Sequence, residues 1–191
     1  MTTFAITFYS RTFPRSNKRL RDLTLIFGGV IFVALLAQIK IPLTITPVPL
    51  TGQTFAVLFV GATLGSKRGA ASLILYTALG AGGLPFFAGG ASGVDYITGA
   101  TMGYFVGFVL AAYLIGKMAE RGLERNLQTS LLPFAVGTLV IYLFGAGWLA
   151  IFLGAGNALV LGVLPFLIGD AIKLVFAALV LPVAFHFYGG A

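Results

Sequence analysis

The sequence predicts an all-α integral membrane protein with six transmembrane helices. Three observations support this fold class. Hydrophobic residues make up 59% of the 191 residues and charged residues 9%, the mean hydropathy is +1.02, and long apolar segments alternate with short loops. Soluble domains carry about 25% charged residues, so this composition is typical of a chain solvated by lipid. The 26 glycines fit the same class, because small residues let membrane helices approach closely.

The apolar segments define the predicted spans. A helix that crosses the bilayer needs about 20 apolar residues, and fewer where neighbouring helices shelter it. Six segments meet this requirement, at residues 23–39, 51–64, 69–83, 101–118, 131–153 and 164–187. The second and third segments are short and rich in glycine. Residues 1–22 are predicted to form a basic cytoplasmic segment, and residues 23–191 a single membrane domain.

Basic residues set the predicted orientation. They cluster before the first span, between the second and third, and between the fourth and fifth, as Arg11, Arg15, Lys18, Arg19, Arg21, Lys67, Arg68, Lys117, Arg121 and Arg125. These connections all fall on one side of the membrane, and the opposite connections contain no other basic residue than Lys40. The positive-inside rule therefore places both termini in the cytoplasm and the chain in the cytoplasmic membrane.

The start of the chain has an alternative interpretation as a signal peptide. Arginines precede the first apolar run, and Ala34 and Ala37 lie near its end as a cleavage site would require. The run continues directly into a patterned loop from Gln38 to Pro42, which favours an uncleaved first helix.

Two outward connections are unlike ordinary surface loops. Residues 41–50 contain three prolines, which forbid a regular helix and favour an extended segment. Residues 84–96 are apolar and rich in glycine, and they include Gly90, Ala91 and Asp95. Irregular backbone at membrane depth must be buried by protein or line a cavity, because lipid offers its amides no partner. We therefore expect a cavity beneath these two loops.

An acidic and a basic residue interrupt the last apolar segment. Asp170 and Lys173 are three residues apart, which places them on one helix face. Each ionisable group at the centre of a membrane helix costs roughly 2.5 to 3.5 kcal/mol, so such a pair is a functional candidate. Two alternatives remain open, namely an ion pair that fixes helix packing and a proton relay in a proton-coupled carrier.

Other polar residues are weaker candidates. Gln53 opens the second span, and its amide can both donate and accept hydrogen bonds. Asp95 could contact a ligand or belong to a solvated loop. Tyr104 and Trp148 lie near the outer half, where aromatic residues also serve as interfacial anchors.

The composition excludes several function classes. The chain has no cysteine and one histidine, His186, so neither a thiol nucleophile nor a zinc site is expected. No phosphate-binding P-loop motif is present, and the bases are dispersed over loops rather than forming one nucleic-acid-binding face. We therefore expect neither an enzyme nor a cofactor. A purely structural scaffold would not require the pair of Asp170 and Lys173.

Four sequence stretches carry a resemblance to a known family. They are residues 46–54 (TPVPLTGQT), 64–69 (LGSKRG), 83–90 (GLPFFAGG) and 164–173 (LPFLIGDAIK). With them, nearly the whole chain after Leu23 strongly resembles the BioY family, the biotin-specific substrate-binding subunits of energy-coupling factor transporters. The resemblance implies a six-helix bundle that captures biotin and assembles, within membrane lipid, with a transmembrane coupling subunit and two cytoplasmic ATPases.

The resemblance also implies roles for individual residues. Biotin would lie beneath the outer loops, with its ureido ring against Asp170, Lys173 and Gln53, and with Gly90, Ala91, Asp95 and Tyr104 as further contacts. On the first helix, Val30 and Ala34 would dock the coupling subunit, although small residues at four-residue spacing are less regular there than in the family.

One turn departs from the family pattern. The usual sequence Gly-Pro-Thr-Gly-Gly-Tyr reads GATMGY at residues 99–104, and Phe105 follows where some relatives have a polar or basic residue. A partner for the ligand carboxylate would then come from Lys173 or from loop amides.

Overall fold

The computed structural model describes residues 3–189 of the chain. Within this range the backbone forms nine α-helices and one two-stranded antiparallel sheet. The helices are α1 (Phe4–Thr12), α2 (Lys18–Ala37), α3 (Gln53–Leu64), α4 (Ser66–Ala81), α5 (Val94–Thr98), α6 (Met102–Ala119), α7 (Leu127–Leu153), α8 (Ala155–Gly162) and α9 (Leu167–Gly189), and the strands are β1 (Lys40–Ile41) and β2 (Leu50–Thr51). Short 3-10 helices at Leu123–Arg125 and Leu164–Phe166 precede α7 and α9.

Helices α2, α3, α4, α6, α7 and α9 correspond to the six predicted spans. Four helical segments of the described chain are long and apolar enough to cross a membrane, at Lys18–Ala37, Met102–Ala119, Leu127–Leu153 and Ala155–Phe187. Helix α3 is apolar but has 12 residues, and α4 has 16. Since 12 helical residues extend about 18 Å, against about 30 Å of hydrocarbon, the crossing of the membrane by α3 and α4 stays a prediction.

Helix α3 lies at the centre of the bundle. It packs against α2, α4, α6 and α9, and most of its side chains are buried. This shelter explains how a short helix remains apolar on nearly all sides. A tight turn at Gly65, with φ of +85°, joins it to α4. The turn lies against Gly116 of α6, where an added Cβ would come within 2.2 Å of the Ser66 nitrogen.

The connections that carry the basic residues meet at one end of the bundle. The Glu120 carboxylate accepts hydrogen bonds from the Ser66 amide at 2.8 Å and from the Ser66 hydroxyl at 2.7 Å. At the same end, the Arg68 guanidinium lies 2.8 Å from the Asp22 carboxylate. This clustering agrees with the prediction that these loops share one side of the membrane.

The two outer loops fold over the opposite end. Residues 41–50 form a hairpin, because Lys40 pairs with Thr51 and Ile41 with Leu50. The second loop turns inward at Phe87, which is fully buried. The Phe87 amide donates to the Ala91 carbonyl at 2.9 Å, and the ring stacks on Tyr96 with centroids 5.2 Å apart. Phe87 and Ala88 are buried, but most other residues of the two outer loops are exposed or half-buried, so the expectation of buried irregular backbone is met only in part.

Candidate substrate-binding site

A cavity lies beneath the hairpin and reaches into the bundle. Its volume is about 520 Å³, including the open space at its mouth. The lining residues come from the hairpin and from helices on several sides: Val48, Pro49, Leu50, Thr51, Gln53, Thr54, Tyr96, Thr101, Tyr104, Phe105, Phe108, Tyr142, Phe166, Asp170 and Lys173.

Asp170 provides a buried carboxylate to this cavity. Its relative exposure is 3%, and three side chains donate hydrogen bonds to it. Thr54 and Lys173 donate to Oδ1 at 2.8 and 2.7 Å, and the Tyr142 hydroxyl donates to Oδ2 at 2.6 Å. A carboxylate has about four lone-pair positions, so Oδ2 retains one position for a further donor.

Lys173 has an acceptor for each of its three ammonium hydrogens. The acceptors are Asp170 Oδ1 at 2.7 Å, Thr54 Oγ1 at 2.9 Å and the Thr51 carbonyl at 2.7 Å. The charge of Lys173 is therefore balanced by Asp170, and its donors are already used. A ligand oxygen that binds Lys173 must replace one of these three acceptors.

Gln53 links the two outer loops. Its Oε1 accepts from the Thr51 hydroxyl at 3.0 Å, and its Nε2 donates to the Tyr76 hydroxyl at 2.8 Å. Tyr76 in turn donates to the Phe86 carbonyl at 3.0 Å. An amide nitrogen has two hydrogens, and the bond to Tyr76 uses one of them. Gln53 thus holds both loops in place and can still donate toward the cavity.

Aromatic rings form the apolar part of the cavity. The Tyr104 hydroxyl donates to the Gly162 carbonyl at 2.6 Å, so Tyr104 presents its ring rather than a free hydroxyl. The rings of Phe105 and Phe108 pack against each other with centroids 5.8 Å apart. Tyr96 lies nearer the outer loop, and burial raises the pKa of its hydroxyl, which keeps that group protonated as a donor.

The structure brings together four of the predicted site residues and leaves three outside. Gln53, Tyr104, Asp170 and Lys173 line the cavity. Gly90, Ala91 and Asp95 do not: Gly90 and Asp95 are exposed on the second outer loop and α5, and the Ala91 carbonyl holds the Phe87 turn. Contact of these three with a ligand stays a prediction.

Thr54 and Tyr142 are site residues that the sequence did not reveal. Each donates a hydrogen bond to Asp170. The sequence feature that could have indicated them is a hydroxyl within an apolar span, since a polar group at membrane depth needs a hydrogen-bond partner. Threonine provides that signal weakly, because its hydroxyl can bond to the backbone of its own helix.

The predicted docking residues on α2 are buried by the chain itself. Val30 is 0% and Ala34 is 6% exposed, on the face where α2 packs against α3 and α4. Contact of these two side chains with a partner subunit stays a prediction. The exposed face of α2 carries larger apolar residues, including Phe27, Ile31 and Leu35.

Comparisons with known proteins all point to one family. The model of the BioY family matches residues 10–189. The chain is 44% identical over 151 residues to a probable biotin transporter BioY of Pyrococcus horikoshii, covering 78% of this chain and 89% of that protein. It is 39% identical over 156 residues to the biotin transporter BioY of Thermotoga maritima, covering 81% and 89%.

A solved structure has the same fold. The crystal structure of the S-component for biotin from an ECF-type ABC transporter matches with a TM-score of 0.80 and 25% sequence identity. The match covers 91% of this chain and 97% of the solved one. The likeness therefore includes the described bundle nearly from end to end.

Proposed function

This chain belongs to the BioY family, and from that premise we propose that it is the subunit that captures biotin for import by an energy-coupling factor transporter. Relatives named as biotin transporters and the solved biotin S-component support this function. The structural observation that carries it is the cavity with a satisfied ion pair and one open acceptor position on Asp170.

The chemistry of biotin fits the two kinds of surface in the cavity. The ureido ring of biotin has two N–H donors and one carbonyl. We assign one donor to Asp170 Oδ2 and the carbonyl to the Gln53 amide, or to Lys173 after one of its acceptors is displaced. The sulfur-containing ring and the aliphatic tail then lie against the aromatic side chains of Phe105 and Phe108.

Selectivity follows from the cost of leaving these polar groups without partners. A buried donor or acceptor without a partner costs about 1 to 3 kcal/mol. A ligand that lacks the ureido ring leaves the protein donors and the Asp170 acceptor dehydrated and unpaired. A ligand that keeps the ring but lacks sulfur loses mainly apolar contact.

Import requires further proteins in this proposal. The chain has no P-loop motif, so a transmembrane coupling subunit and two cytoplasmic ATPases would supply ATP hydrolysis. We propose six spans in the cytoplasmic membrane with both termini in the cytoplasm, supported by the basic connections at one end of the bundle. Docking of the coupling subunit at Val30 and Ala34, which are buried in this structure, stays a prediction. The family relationship does not favour a proton-coupled carrier.

Equilibrium binding to the purified chain tests this function. Isothermal titration would compare biotin with dethiobiotin, which keeps the ureido ring, and with lipoic acid, which keeps an acidic aliphatic tail without that ring. We expect biotin to bind most tightly, dethiobiotin next, and lipoic acid at least about thirtyfold more weakly, as two unpaired polar groups would require. Equal affinity for biotin and lipoic acid would contradict the proposal.

A further inference from the structure

The hydroxyl groups that line the cavity fall into two sets, according to whether the protein itself already uses them. Those of the first set donate to partners in the cavity wall, and they belong to Thr51, Thr54, Tyr104 and Tyr142. A hydroxyl has a single hydrogen to donate. The side chains of this first set therefore have no hydrogen left for a ligand.

Tyr96 and Thr101 form the second set. Both side chains line the cavity and are half-buried, and neither hydroxyl forms a hydrogen bond within residues 3–189. Thr101 is the N-cap of α6, but its side chain does not cap that helix. Polar groups inside a protein are nearly always paired. Two unused hydroxyls in one cavity therefore point to a ligand with acceptor atoms.

The remaining side-chain donors of the cavity are already assigned. All three ammonium hydrogens of Lys173 have acceptors, and Asp170 balances its charge. A ligand carboxylate at Lys173 would have to displace one of these acceptors beside the carboxylate of Asp170, which has the same charge. Gln53 keeps one amide hydrogen, which we assign to the ureido carbonyl. The unused hydroxyls are therefore the donors that remain for the other end of the ligand.

One face of α6 leads outward to these hydroxyls. Thr101, Phe105 and Phe108 all line the cavity, and their spacings of four and three residues place them on one helix face. Thr101 lies at the outer end of this face, about 6 Å along the helix axis from Phe105. The ring of Tyr96 makes an edge contact with Phe105, with centroids 6.4 Å apart. An aliphatic tail that follows Phe108 and Phe105 outward therefore ends at Thr101 and Tyr96.

Both residues are held in place although their hydroxyls are unused. The ring of Tyr96 stacks on Phe87 with centroids 5.2 Å apart. Just before Thr101, the Gly99 carbonyl accepts a hydrogen bond from the Trp148 indole at 3.0 Å. Groups that are already ordered lose little conformational entropy when a ligand binds. This fixed position favours a specific contact over an incidental one.

The ligand end that suits two hydroxyl donors is an anion. A carboxylate only accepts hydrogen bonds, and a bond to a charged acceptor is stronger than a bond between neutral groups. We propose that the Tyr96 and Thr101 hydroxyls bind the carboxylate of biotin, while Asp170 and Gln53 bind the ureido ring. This assignment rests on the proposed function and adds the residues that recognise the acid group.

Lys40 is the competing partner for this carboxylate. Besides Lys173, it is the one cation near the outer loops in the described part of the chain. Its side chain crosses the second outer loop, where a Cβ added at Gly89 would lie 2.9 Å from Lys40 Cδ. Lys40 is exposed and does not line the cavity. Solvent screens an exposed charge, so Lys40 attracts the anion from a distance and does not hold it.

Two ligands and two isosteric variants test the proposal by isothermal titration. Biotinamide keeps the ureido ring of biotin but replaces the carboxylate by a neutral amide. Tyr96→Phe and Thr101→Val should each weaken biotin about tenfold, as expected for a half-buried hydrogen bond to a charged group. Biotinamide should weaken by about threefold or less, because its neutral carbonyl accepts more weakly. The melting temperature without ligand should stay unchanged, since neither hydroxyl has an internal partner.

Matched controls separate this contact from general effects. Thr98→Val removes a hydroxyl that bonds to the backbone of α5, and Tyr113→Phe removes one on the exposed face of α6. Both should keep wild-type affinity for both ligands.

Three outcomes would overturn the assignment. The first is an equal loss of affinity for biotin and biotinamide in Tyr96→Phe and Thr101→Val. The second is loss of the preference for biotin in Lys40→Met, with that preference retained in the double variant of Tyr96 and Thr101, which would place the carboxylate at Lys40. The third is no binding of either ligand to the wild-type chain, which would overturn the proposed function together with this assignment.

Discussion

Replacing Asp170 by asparagine separates ligand binding from internal packing. In the native cavity, Oδ1 accepts from Lys173 and Thr54, and Oδ2 accepts from Tyr142. The asparagine oxygen can keep the first two bonds, and the Tyr142 hydroxyl can rotate to accept from the new amide nitrogen. The internal contacts therefore largely survive, but the open acceptor position becomes a donor that repels a ureido N–H.

The magnitude follows from the bond that is lost. A hydrogen bond to a charged group contributes about 1.5 to 3 kcal/mol, so biotin affinity should fall about tenfold to a hundredfold. Removing one partner of a buried ion pair costs about 3 to 5 kcal/mol of stability. The cost here should be lower, because 20% of the Lys173 side chain is exposed.

A second variant and a control complete the experiment. Lys173→Met combined with Asp170→Asn removes the uncompensated charge, so it should recover stability without recovering affinity. Asp22→Asn changes an acid in a partly exposed ion pair at the opposite end and should keep wild-type affinity. Isothermal titration and thermal unfolding measure the two quantities. Wild-type biotin affinity in folded Asp170→Asn would refute the reasoning and leave the pair a packing element.

Three further predictions concern stability and orientation. The folded pKa of Glu124 is about 7 against an ordinary value of 4.5, so ionisation of this buried acid destabilises the fold as pH rises between these values. Glu124→Gln should therefore stabilise the protein by up to about 3 kcal/mol at pH ~8 and by little at pH ~4, and equal melting shifts at both pH values would contradict this. Gly116→Ala places a methyl group against the backbone of the turn before α4 and should cost about 1 to 3 kcal/mol, whereas Gly147→Ala, with open space around it, should be neutral in the same denaturation assay. Because the chain has no cysteine, Asp95→Cys should react with an impermeant maleimide on intact cells and Lys67→Cys only after permeabilisation, and the reverse pattern would exclude the proposed orientation.

The six apolar helices could be predicted because apolar length is a strong signal in a membrane protein. Helix α7 nevertheless begins at Leu127, four residues before the predicted span at 131–153, since the first turn of a helix tolerates polar residues. It also passes through Pro133, which the surrounding bundle supports. Helix α1 was missed because its nine residues are too few to give the signal of a membrane span, and it is held by contacts with α3 and α9.

The site was predictable where burial of a residue is costly. Asp170 and Lys173 were identified because charges in an apolar segment require a partner. Thr54 and Tyr142 were not identified, and for Thr54 the reason is that threonine hydroxyls inside helices often bond to the backbone of their own helix. Thr63 and Thr77 do so here, donating at 2.7 and 2.8 Å to carbonyls four residues earlier. Only the packing of α3, α7 and α9 shows which hydroxyls donate to Asp170 and which donate to the backbone of their own helix.

The buried face of α2 could not be read from its sequence. The helix is apolar on nearly every side, so hydrophobic periodicity does not distinguish a lipid-facing surface from a protein-facing one. The structure resolves this through close packing at Gly29, where an added Cβ would lie 2.6 Å from the Ser72 hydroxyl. Val30 and Ala34 turn inward with it, and the sequence alone could not show that these two predicted docking residues face the bundle.

The most direct test of the proposed site is an experimental structure of the purified chain with biotin bound. We predict a ureido nitrogen within about 2.7 to 3.2 Å of Asp170 Oδ2, with the Tyr142 bond retained and the aliphatic tail directed toward the hairpin. A complex in which the ureido ring lies at the mouth, and no biotin atom contacts Asp170, Lys173 or Gln53, would contradict the account.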